Sequence, residues 1–178
     1  MARIPPVEYE DADRATRAAF DQIRSSHGRM TNMKATLAHS LPALDALMRW
    51  YPLRDEVERF LEPRATMLFV HAISSATDCL ICSTFFRRLL IDAGENPEQL
   101  VMNEREQAVV DFGRQMVRDA NQVSDSLFAR LNAQFTPPQI VALTAFGAMM
   151  IATNVFNNAL RVDLDEYLQP YKSLGARD

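Results

Sequence analysis

Two cysteines occur in 178 residues, and they stand three apart in the run Asp78-Cys79-Leu80-Ile81-Cys82. Thiols at i and i+3 of a helix share a face, near enough for their sulfurs to exchange a disulfide. A thiolate attacks peroxide to give a sulfenic acid, which a neighbouring thiol condenses to a disulfide. The spacing alone admits three readings: a redox dithiol, half of a metal site, or two small side chains packed in a helix interface. Zinc would need two further ligands at compatible spacing, and the sequence has no second C-x-x-C and no H-x-x-x-H. Redox chemistry and packing remain the level competitors.

The setting of the pair bears on its acidity. Thr77 or Asp78 is expected to cap a helix that begins with the cysteines. Cys79 would then lie in the first turn, facing free N–H groups and the positive end of the helix dipole, which favour thiolate. Cys82 would lie one turn deeper and less exposed. Arg87 and Arg88 follow on the same helix, while Asp78 opposes ionisation of Cys79 unless it serves as the cap.

The elements that must hold this pair are helical throughout. Ala15, Ala19, Phe20 and Ile23 form one face of a helix over 12–23 behind Asp11 as its cap. A loop at His27-Gly28-Arg29 precedes a short helix over 33–39. Pro42 opens another reaching about residue 61, which Pro52 should kink or split. Pro63 opens the next, with Met67, Leu68, Val70, His71 and Ser74 inward, and the cysteine helix ends near Gly94. Helices follow over 104–119, from Ser124-Asp125, and over 137–160, the last opened by the capping box Thr136-Pro137-Pro138-Gln139. A short turn over 163–168 and a frayed tail at 175–178 complete an all-α helical bundle, one domain over 1–178.

Composition narrows the function. Hydrophobic residues make up 48% and charged residues 24%, the range of a soluble globular chain. The net charge is −4 and the basic residues are scattered, which disfavours nucleic acid as a partner. The N-terminus has no apolar signal region, and the apolar stretch over 140–155 is interrupted by Thr144, Thr153 and Asn154. A cytoplasmic protein with no membrane partner is therefore expected. Asn154, Asn157 and Asn158 need partners if buried, as interhelical glue first and pocket groups second. Met149, Met150, Ile151, Phe146 and Phe156 read as core or subunit interface, with an apolar substrate pocket as the alternative.

The chain resembles the carboxymuconolactone decarboxylase / alkylhydroperoxidase D superfamily over nearly its whole length. The resemblance rests on Leu37-Ala38-His39-Ser40-Leu41-Pro42, on the region 62–94 from Glu62-Pro63-Arg64 through the C-x-x-C, and on Phe135-Thr136-Pro137-Pro138-Gln139 with its continuation to Asn157-Asn158-Ala159-Leu160. It implies an alkylhydroperoxidase D-like bundle that forms homo-oligomers, and peroxiredoxin-type activity with no cofactor. It further implies that Cys82 attacks a peroxide or small organic substrate, that Cys79 resolves, and that an external thiol protein restores the pair. The antioxidant members carry a relay glutamate and histidine where this sequence has Met67 and Phe86. His71, one turn beyond Met67, is the nearest replacement base, its imidazole suited to proton transfer near neutrality. The competing reading is a core histidine bonded to a carbonyl. Two other functions stay open: a helical oligomer that binds an apolar ligand or partner without catalysis, and a decarboxylase-type lactone enzyme that does not need the dithiol.

Overall fold

The computed structural model describes residues 1–173, so the expected frayed tail lies outside the described residues. Those residues form nine α-helices and two 3-10 segments. The order is α1 Arg14–His27, α2 Asn32–Leu37, α3 Leu41–Met48, α4 Tyr51–Leu61, α5 Pro63–Ala76, α6 Leu80–Asp92, α7 Glu104–Asp119, α8 Asp125–Asn132 and α9 Pro137–Leu160. The 3-10 segments are Ala120–Gln122 and Glu166–Tyr171. The expected terminal turn is thus 3-10 and begins three residues later than the sequence suggests.

Helix starts follow local hydrogen bonding. Asp13, not Asp11, caps α1, because its carboxylate accepts the Thr16 N–H at 2.7 Å. Asp11 and Ala12 are held in a turn by the carbonyls of Glu8 and Tyr9. The helix expected across 42–61 divides into α3 and α4, with Pro52 in the first turn of α4, where its missing N–H costs nothing. Asn103 and Glu106 close a capping box on α7, and Thr136 and Gln139 close one on α9. Gly94 ends α6 at φ 84°, a left-handed conformation that favours glycine.

Helix α5 is central, packed against α4, α6, α7 and α9. Its Phe69 and Ile73 are fully buried among Val109 and Phe112 of α7 and Leu143, Phe146 and Met150 of α9. Each such aromatic or aliphatic side chain contributes about 1.5–3 kcal/mol relative to exposure. A second apolar layer joins Phe20, Ile23, Leu37 and Leu44 of α1–α3, and Phe156 of α9 packs against it. The N-terminal third therefore lies over the last turns of α9.

The α5–α7 crossing is close because residue 113 is glycine. A Cβ there would sit 2.9 Å from Ile73 Cγ1 and 3.1 Å from the Phe69 ring. Gly113→Ala should gain about 1 kcal/mol in helix propensity but lose roughly 1–3 kcal/mol to overpacking. The expected net loss is about 1 kcal/mol, read as a lower urea midpoint at unchanged slope; an unchanged midpoint would mean that Ile73 moves aside without cost.

Helix α9 has 24 residues and is long and apolar enough to cross a membrane by length and composition. The stretch over 140–155 understates it, because the helix continues through Asn157 and Asn158 to Leu160. Ile140, Leu143, Phe146 and Met150 are buried in the main core. The outer face presents Val141, Ala148, Ala152 and Val155, with Val141 68% and Val155 58% exposed.

Candidate active site

The junction between α5 and α6 sets the thiols. Thr77 turns its hydroxyl back onto the carbonyls of Ile73 and Ser74, at 3.1 Å each, so it closes α5 and is not free to cap α6. Asp78 takes φ 53°, the left-handed region that a short polar residue tolerates. Cys79 then runs extended, its N–H donating to the Ser74 carbonyl at 3.0 Å and its carbonyl accepting the Ser83 N–H at 2.9 Å. Cys79 is itself the N-cap residue, in place of the expected Thr77 or Asp78. Cys82 falls in the first turn of α6.

Neither sulfur is bonded to the other, and both are buried. Cys79 is 1% exposed and Cys82 7%, which corrects the expectation that Cys79 would be the more accessible. Ile81 and Val162 complete their buried cluster, and Met33, Phe86, Phe156, Leu160 and Leu164 pack against it.

One polar side chain enters this apolar shell. Asn157, 2% exposed on α9, donates from Nδ2 to Cys82 Sγ at 3.3 Å, with Cys79 Sγ at 3.9 Å and Met33 Sδ at 3.6 Å. One turn earlier, Asn154 donates to Thr77 Oγ1 at 2.8 Å and Ser74 Oγ at 3.4 Å, and Asn158 donates to the Thr77 carbonyl at 2.8 Å. Asn154 and Asn158 are the glue that the sequence suggests; Asn157 touches the sulfurs instead. The Oδ1 atoms of Asn154 and Asn157 are buried with no partner. Leaving such an acceptor unpaired costs about 1–3 kcal/mol.

The pair divides its acidity. The hydrogen bond from Cys82 lowers the Cys79 thiol to about 7, against burial, helped by the N–H of Cys82, by Asn157 and by the N–H of Ile81. Cys82 moves the other way, well above an ordinary thiol, because its proton is committed to Cys79 and burial disfavours a second charge. The geometry therefore favours one thiolate on Cys79 and one thiol on Cys82.

His71 lies on another face. Its charged neighbours are Arg87, Arg114 and Glu98, and no hydrogen bond joins it to either cysteine among the described residues. Burial, reinforced by Arg87 and Arg114, lowers its pKa to about 4, so the imidazole is neutral at pH 7 and a weak base. Met67 packs with Leu68, Ala72, Leu90, Leu100 and Met102, away from the thiol cluster. Phe86, at the position implied for the relay histidine, does pack against that cluster. His39 Nε2 meets the Pro5 carbonyl at 3.0 Å and His27 stacks on Tyr51 at 4.4 Å. No grouping of three or more histidine, cysteine or acidic side chains suited to a metal occurs among the described residues.

No protein-family model matches the chain, and no curated protein matches it in sequence. Solved structures do match the fold. The apo debrominase Bmp8 superposes with a TM-score of 0.77 at 16% identity, over 94% of this chain and 95% of that one. The alkylhydroperoxidase AhpD core of an uncharacterized peroxidase-related protein from Ralstonia eutropha JMP134 gives 0.74 at 18% identity, over 94% of each chain. An uncharacterized peroxidase-related protein from Silicibacter sp. TM1040 gives 0.69 at 16% identity, over 88% of this chain and 90% of that one. The fold is of the alkylhydroperoxidase D type.

Proposed function

We propose that this chain is a thiol-dependent oxidoreductase in which Cys79 and Cys82 reduce a peroxide or small organic substrate and an external thiol protein restores them. The observation that carries this reading is the polarised pair, with one thiol lowered to about 7 beside one raised, both touched by the Asn157 carboxamide. Two small residues serving only to pack would need no polar donor at their sulfurs. The peroxidase-related neighbours and the debrominase share the fold, which supports this reading.

The resemblance assigns attack to Cys82 and resolution to Cys79, whereas the proton distribution favours thiolate on Cys79. His71, neutral and turned toward Arg87 and Arg114, supports a slow, relay-poor site in which the thiol pair itself sets the rate. Peroxide treatment should form an intramolecular disulfide, seen as loss of two hydrogens from the peptide spanning both cysteines. Intact thiols, with no peroxide consumed in the presence of dithiothreitol, would exclude the oxidoreductase reading and leave a helical binding protein.

The exposed apolar face of α9 supports a homo-oligomer. Val141, Ala148, Ala152 and Val155 recur on one face without a charge among them, as a subunit contact requires. Sedimentation at micromolar concentration should show an oligomer, and Val155→Lys should dissociate it. A clean monomer would remove the idea.

A further inference from the structure

The buried carboxamide of Asn157 has one end occupied and one end empty. Its Nδ2 donates to Cys82 Sγ at 3.3 Å and reaches the Cys79 sulfur at 3.9 Å, while its Oδ1 is buried without a partner. A second unpartnered oxygen, Asn154 Oδ1, sits one helical turn away. The thiols leave nothing to fill these acceptors, since the favoured arrangement commits the Cys82 proton to Cys79. We infer that Asn157 Oδ1 is a substrate-positioning acceptor that takes the O–H of a hydroperoxide, so that Asn157 joins thiolate and substrate through the two ends of one amide. This rests on the oxidoreductase reading and narrows its substrate class to compounds with a free O–H on the oxygen to be attacked.

The chemistry balances without a titrating relay. The thiolate attacks the O–H oxygen held at Oδ1: an S–O bond forms, the O–O bond breaks, and sulfur is oxidised by two electrons to a sulfenic acid. The departing alkoxide takes the proton of the remaining thiol and leaves as an alcohol. The second thiolate then displaces hydroxide from the sulfenic acid, forming the disulfide, and the hydroxide becomes water with a proton from solvent. A carboxamide neither gains nor loses a proton in these steps. Its work is orientation, which suits a site with Met67 and Phe86 at the implied relay positions.

Two measurements test the acceptor separately from the dithiol. For Asn157→Ala, the iodoacetamide rate reports the thiolate and the tert-butyl hydroperoxide rate reports the reaction. The peroxide rate should fall about tenfold or more beyond any fall in alkylation, because only the former uses Oδ1. In the wild type, tert-butanol should slow oxidation of the thiols by tert-butyl hydroperoxide, and methyl tert-butyl ether, which has no O–H, should not. Equal falls in both rates of the variant, or equal protection by alcohol and ether, would overturn the acceptor role. Failure of the wild type to form a disulfide would instead overturn the oxidoreductase reading. The wild-type competition needs no folded variant.

Discussion

Replacing Cys79 with serine is expected to slow iodoacetamide labelling at pH 7 by roughly 100-fold, whereas Cys82→Ser stays near the wild-type rate. Only the thiolate is alkylated at an appreciable rate, so the rate follows its population. With Cys79 lowered to about 7, labelling of the wild type should rise through about pH 7, below the ordinary thiol value of 9.0. Serine at residue 82 retains an O–H donor for the Cys79 sulfur and keeps the backbone N–H groups, so the midpoint holds. Serine at residue 79 can likewise donate its O–H to Cys82, but Cys82 lacks the backbone N–H groups of residues 81 and 82 that favour a Cys79 thiolate and burial still opposes its ionisation, so its midpoint lies well above 7. Two pH units correspond to the hundredfold at fixed pH. His71→Ala should leave the midpoint unchanged, because His71 is not among the groups that shift either thiol. A midpoint near 7 retained in Cys79→Ser would move the thiolate to Cys82, the order that the family resemblance implies.

The second large effect is on stability, at Arg64. Its guanidinium bonds Glu106, Glu95 at 2.5 Å, and the Val101 carbonyl at 3.0 Å, tying the start of α5 to the connector and to the start of α7. Glu106 is buried, and its other oxygen accepts the Asn103 N–H to complete the capping box. Arg64→Met should destabilise the protein by about 2–4 kcal/mol, since removing one partner strands a buried carboxylate. The figure is below the full cost of a broken buried pair because the Arg64 side chain is one-third exposed. Urea denaturation measures it. The double variant Arg64→Met with Glu106→Gln should recover much of the loss by removing the stranded charge; no recovery would locate the loss in packing instead.

Much of this architecture is legible in the sequence because helix ends are local. The Thr136-Pro137-Pro138-Gln139 box, Pro63, Ser124 and Gly94 each mark an end within a few residues of where it falls, since caps and breakers act over one turn. Asp13 and Cys79 show where that logic runs out. Thr77 is a good cap by type, but its hydroxyl bonds back to the Ile73 and Ser74 carbonyls of α5, a local alternative that residue type alone does not decide. His71 failed to meet the thiols for a related reason: a shared face with Met67 fixes only direction around α5, and that face looks toward Arg87 and Glu98. Asn157 was legible as a buried polar residue in need of partners. Its partners are 75 and 78 residues away along the chain, and no local pattern carries that information.

Helix α9 is unbroken from Pro137 to Leu160, about 36 Å of continuous rod. Near its middle, Gly147 presses so closely on α5 and α7 that a Cβ would stand 2.9 Å from both Phe69 Cζ and Met116 Sδ. That point acts as a fulcrum. Because the rod is stiff, any tilt forced at Gly147 is delivered about 15 Å away as a displacement of the Asn157 amide across the sulfurs. The alignment of the thiol site therefore depends on an apolar crossing that contains no thiol and no charge, as well as on the Asn154 and Asn158 bonds to the α5–α6 junction.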